Sequence, residues 1–130
     1  MMADIVLDAS VVLAHLRGET GGDVVVERLA GGLVCTVNLT EVVQKLVEDG
    51  LSDIDIRAAM DDLAFAVVEF DETLAFAAGL LRRPTRSKGL SLGDRACLAL
   101  ARRENLPVLT ADRVWAELDL GVEVVLIRRS

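Results

Sequence analysis

The chain has 130 residues, 52% of them hydrophobic, and a formal net charge of −7, a length that suits one domain over residues 1–130 with one sizeable core. Charges interrupt every apolar run before the roughly 18 residues a membrane span needs, and no basic start precedes an apolar block, so neither a membrane segment nor a secretory leader is expected. The acidic balance excludes broad electrostatic binding of nucleic acid and points to a basic partner or to an acidic site that holds cations.

Residues 4–7 read as a short strand with few polar residues, as expected of one buried on both faces, and Asp8 ends it. Residues 10–17 read as a helix carrying His15, the only histidine, which suits surface or packing more than catalysis. A turn over 18–22 leads to a second helix over 23–30, closed by Gly31 and Gly32. Residues 33–36 form a second strand, and a helix over 37–49 follows, with Glu41 near its start and Gly50 at its end. Ser52 and Asp55 have capping-box spacing and open a helix to about Leu63. A third strand covers 66–70. Asp71 then caps a helix with the apolar stripe Leu74, Ala75, Ala78 and Leu81. Pro84 and Gly89 mark residues 82–89 as a loop or frayed helix end. Residues 91–105 have helical spacing with one broad apolar face, residues 107–110 are a strand, Asp112 opens another helix, and residues 123–127 are a final strand.

Strands that alternate with helices predict an α/β fold with a mainly parallel sheet covered by helices on both faces. Such sheets bind ligands beyond the carboxyl ends of their strands, where the strand order reverses. Asp8 and Asp112 each follow a strand, Glu41 lies one helical turn beyond another, and Asp94 starts a helix that leads into a strand. All four acids are therefore expected on one edge of the sheet. Asp61, Asp62, Glu104 and Glu117 fall mid-helix or at helix ends and read as solvated.

Each of the four also has a structural reading. Ser91 with Asp94, and Asn38 with Glu41, fit capping boxes, while Asp8 and Asp112 can serve as N-caps. Together, however, they crowd. At about 4 Å two like charges repel by on the order of 4 kcal/mol at an effective dielectric of 20. A divalent cation or bound protons relieve that repulsion, and hard oxygen ligands suit magnesium or manganese. Phosphodiester chemistry follows naturally from such a site. A single histidine excludes a histidine-pair nuclease, and there is no Gly-rich phosphate loop, nucleophile elbow or zinc-type cluster. Cys35 and Cys97 lie in apolar surroundings, so buried free thiols and a reducing, cytoplasmic setting are expected.

Four segments carry a resemblance: Ile5 to Ser10 (IVLDAS), Asn38 to Glu41 (NLTE), Leu90 to Asp94 (LSLGD) with its Ala/Leu-rich continuation, and Leu109 to Asp112 (LTAD) followed by Arg113 and Trp115. In their order and spacing the whole chain resembles a PIN-domain ribonuclease, specifically the toxin of a VapBC toxin–antitoxin pair. The family's acidic pattern falls on Asp8, Glu41, Asp94 and Asp112. Many relatives place Ser or Thr directly after the first acid, where this chain has Ala9 and then Ser10. The resemblance implies a three-layer α/β/α fold and Mg2+- or Mn2+-dependent RNA cleavage leaving a 5′-phosphate. It further implies a homodimer and inhibition by a small cognate antitoxin. Asp8 and Asp94 are expected as the main metal ligands, with Glu41 and Asp112 completing the shell or acting through water. Arg82, Arg83, Arg86 and Lys88 form the densest basic cluster, expected either to hold RNA phosphates beside the acidic site or to decorate a helix C-terminus. Two alternatives stand beside this reading. A PIN-like binding module would lack activity. A receiver-like signalling domain would want two acids after its first strand and a lysine after a late one; this chain has only Asp8 and Asp112 there.

Overall fold

The computed structural model of the chain describes residues 2–19 and 21–127, so the expected turn over 18–22 is described except for Thr20. Among these residues five strands, β1 (Ile5–Leu7), β2 (Gly32–Cys35), β3 (Ala66–Val68), β4 (Val108–Thr110) and β5 (Val124–Leu126), form one sheet in the order β3-β2-β1-β4-β5. Every pairing is parallel. Val6 lies opposite Leu33 on one side and Val108 on the other. The order reverses between β1 and β4, which is where an open parallel sheet leaves a crevice at its carboxyl edge.

Among the described residues seven α-helices accompany the sheet: α1 (Ala9–Leu16), α2 (Gly22–Val26), α3 (Thr36–Glu48), α4 (Asp53–Asp61), α5 (Glu72–Leu80), α6 (Arg82–Thr85) and α7 (Leu92–Glu104). The central strands β1, β2 and β4 are buried throughout, which explains their lack of polar alternation. Their side chains point alternately to two cores. Ile5, Leu7, Val34 and Leu109 meet α1 to α4 on one face, with Val12, Val42 and Ile56. Val6, Leu33, Cys35 and Val108 meet α5 and α7 on the other, with Leu74, Leu98, Leu100 and the fully buried Trp115. The result is the expected three-layer α/β/α arrangement. No helix among the described residues is long and apolar enough to cross a membrane.

The structure differs from expectation in three connecting segments. The helix expected over 23–30 stops at Val26 and resumes as a 3-10 turn at Leu29–Gly31, because β-branched Val25 and Val26 are poor helix formers and two glycines follow. Residues 82–88, which suited a loop or a frayed helix end, take the helical alternative and not the loop, as α6 and then a 3-10 turn at Arg86–Lys88. Pro84 is tolerated there because it falls in the first turn of α6, where its missing N–H has no intrahelical partner to lose. Asp112 opens a 3-10 turn, Arg113–Glu117, rather than an α-helix.

Candidate active site

Asp8 sits at the reversal of strand order. Its backbone N–H donates to the Leu109 carbonyl at 3.0 Å, so the β1–β4 ladder runs up to the acid. The residue occupies the N-cap position of α1, yet its side chain makes no cap bond. Its Oδ2 instead accepts from Ser10 Oγ at 2.7 Å and from Thr110 Oγ1 at 2.9 Å. The side chain is buried, and that burial is the main cause raising its pKa from 3.8 to about 6. The two hydroxyls pull the value down, and the charges of Asp94 and Glu41 push it up again.

Glu41 is likewise not part of a cap. α3 begins at Thr36 with Cys35 as N-cap, which places Asn38 inside the helix. Asn38 is fully buried, and its Nδ2 donates to Glu41 Oε1 at 2.9 Å and to the Gly93 carbonyl at 3.0 Å. Desolvation raises the Glu41 carboxyl above its usual range; the Asn38 bond opposes this and the Asp94 charge adds to it, while Lys45 opposes it weakly. The cap readings hold for the other two acids. Asp94 closes a full capping box, accepting from the Ser91 backbone N–H at 3.0 Å while Ser91 Oγ accepts from its own N–H. Asp112 Oδ1 accepts from the Val114 N–H at 3.0 Å, and the Asp112 N–H donates to Thr110 Oγ1 at 3.1 Å.

One pattern runs through all four acids. Each carboxylate is anchored by one oxygen, Asp8 Oδ2, Glu41 Oε1, Asp94 Oδ2 and Asp112 Oδ1, and its second oxygen makes no hydrogen bond to a described residue. Asp8, Glu41 and Asp94 lie within reach of one another's charge. None of the three has an ion-pair partner among the described residues. Asp112 is exposed and tied to the group through Thr110. Among the described residues no three acids, histidines or cysteines stand close enough to ligate one ion together. The donor set is all oxygen and negative, which fits a hard cation in chemistry and calls for water to fill most of its coordination.

Arg82 and Arg83 lie on α6, and Arg86 and Lys88 on the 3-10 turn that leads into α7. Lys88 Nζ pairs with Glu117 Oε1 at 3.0 Å, while the three arginines have no ion pair with a described residue. Cys35 and Cys97 are free and buried. Thr110 and Gly93 have no role of their own in the sequence pattern, and the spacing of Asn38 to Glu41 fits a cap as well as the bonds Asn38 makes. The only signal for Thr110 was a hydroxyl ending a buried strand two residues before an acid.

The family model described as the PIN domain matches residues 5–120. No curated protein matches the chain significantly by sequence. Among solved structures the chain is similar to VapBC2 from Rickettsia felis bound to a DNA fragment of its promoter, at 17% identity and TM-score 0.75, with 98% of this chain and 100% of that one covered. It is similar to a toxin–antitoxin complex from Klebsiella pneumoniae, at 17% identity and TM-score 0.76, with 98% and 100% covered. VapBC-5 from Mycobacterium tuberculosis, a member of the VapBC family of toxin–antitoxin systems, matches at 26% identity and TM-score 0.60, with 98% of each chain covered.

Proposed function

The chain belongs to the PIN-domain family, and from that premise we propose that it is a Mg2+- or Mn2+-dependent endoribonuclease acting as the toxin of a type II toxin–antitoxin pair. The observation that carries this reading is the shared pattern of the four acids, each held by one oxygen with the other left uncommitted. Ligands oriented by outer hydrogen bonds and waiting for a partner look like this. Asp8 and Asp94 would hold the ion directly, and Glu41 and Asp112 would act through water, in keeping with the absence of any closer trio among the described residues. Such an ion, when bound, supplies a water of lowered pKa and neutralises charge on a phosphodiester. The protein's own part is to fix the donors. Ser10 and Thr110 lock the Asp8 rotamer, Ser91 locks Asp94, and Asn38 locks Glu41.

RNA would approach along Arg82, Arg83 and Arg86, which flank the start of α7 and have no ion pair with a described residue to compete with phosphates. Lys88 contributes less, being paired with Glu117. The antitoxin proposal rests on neighbours that are themselves toxin–antitoxin complexes. A second copy of the chain would cover the exposed apolar side chains on α5, Phe76 and Leu80.

The test is cleavage of RNA by purified protein with added Mn2+, beside Asp94→Asn. The variant keeps the shape and the cap, since an amide oxygen still accepts from Ser91, and should melt within about 1 kcal/mol of the parent. Its cleavage should be abolished, and the parent's products should carry 5′-phosphates. Cleavage by Asp94→Asn, or by the parent in excess chelator, would overturn the reading.

A further inference from the structure

We propose that Gly93 and Asn38 are positioning residues that together set where the Glu41 carboxylate stands against Asp94, and thereby set the affinity of the site for a divalent cation. The inference rests on the metal-dependent reading above.

Gly93 is buried in the first turn of α7, one residue before Asp94. Its φ is negative, so no backbone strain calls for glycine, and glycine is a poor residue for a helix. What calls for it is space. A Cβ at this position would run into the Glu41 carboxylate, whose Oε2, Cδ and Oε1 are the nearest atoms to it. The missing side chain is the room in which that carboxylate lies.

Asn38 supplies the complementary constraint. Its amide donates to Glu41 Oε1 and to the carbonyl of the same Gly93, joining α3 to α7 across 55 residues of sequence. Its own Oδ1 is buried without a hydrogen-bond partner. A fully buried amide with an unpaired oxygen is unfavourable for stability, so packing alone does not account for it. The amide pins one oxygen of Glu41, and the glycine admits the other beside Asp94.

Gly93→Ala separates positioning from folding. The group that a new methyl meets is the end of a flexible side chain and not backbone. Glu41 can therefore swing aside, and alanine adds helix propensity. The experiment measures thermal melting, Mn2+ affinity by titration calorimetry, and kcat and KM for RNA, in the parent, Gly93→Ala and Asn38→Ala. Gly93→Ala should melt at or above the parent yet bind Mn2+ about 10- to 100-fold more weakly, the usual effect of displacing a group that supports the ion from the outer shell, as Glu41 does through water. Its kcat should fall with KM unchanged. Asn38→Ala should weaken Mn2+ binding in the same direction while melting lower. Parental Mn2+ affinity in Gly93→Ala would overturn the inference, as would its failure to fold, which would mean that Glu41 cannot move aside. A parent that binds no Mn2+ at all would instead bring down the metal-dependent reading itself.

Discussion

Asp8 shows how a single residue carries both the cost and the purpose of the site. Its carboxyl is raised from 3.8 to about 6 in the folded chain, chiefly by burial. Between those two pH values the folded protein keeps a proton that the unfolded chain has released. Stability therefore falls as pH rises through that window, by about 3 kcal/mol once pH exceeds 6. Asp8→Asn removes the titration and keeps an oxygen for Ser10 and Thr110 to bond. In metal-free buffer its unfolding free energy, measured by denaturant titration, should exceed the parent's by on the order of 3 kcal/mol at pH 8 and match it near pH 3. Equal stability at both pH values would show that Asp8 is not desolvated. The elements that carry the four acids were legible in the sequence: Asp8 and Asp112 each follow a strand, Asp94 starts a helix, and Glu41 lies on the helix after β2. Their anchors were less so. Ser10 lies two residues away and could be guessed, but Thr110 is 102 residues from the oxygen it bonds. For Asn38 the spacing to Glu41 fits a cap as well as the bond it makes, so sequence alone leaves both open.

Among the elements, the long ones followed from pattern alone. α3 and α7 each have an apolar face, and their caps or closing residues are written locally; Asn105 ends α7 in the left-handed conformation at φ 54°. Short segments escaped because a turn or two of helix has no periodicity to read, and residues 82–88 are the clearest case. There the chain folds Arg82 and Arg83 onto α6 and Arg86 onto the 3-10 turn, just ahead of the α7 start. If these cations hold RNA, replacing all three with Ala should weaken binding and lower its salt dependence by about two units, at roughly 0.7 per phosphate contact on a single strand. Mn2+ affinity should stay at the parental value, because no carboxylate or its anchor is touched. An unchanged salt slope in a binding titration would leave the arginines as helix-end decoration.

For the whole molecule, two cores on opposite faces of one sheet account for the three layers, and α/β alternation made that legible. Apolar surface remains on α5, where Phe76 is 68% and Leu80 65% exposed. Light scattering at micromolar concentration should give twice the 14.0 kDa chain mass, and Phe76→Glu with Leu80→Glu should reduce it to the monomer value without lowering the melting temperature. A parent that is already monomeric would refute the dimer. The strand order also has a consequence for synthesis. Chains emerge N-terminus first, so β1, β2 and β3 can pair while β4, which belongs beside β1, is still being translated. Until Thr110 leaves the ribosome, Asp8 lacks one of its two anchoring hydroxyls and Asp112 does not yet exist as a neighbour. If the chain is the ribonuclease proposed above, its site is assembled only late in synthesis, and activity would arise only after most of the chain has emerged.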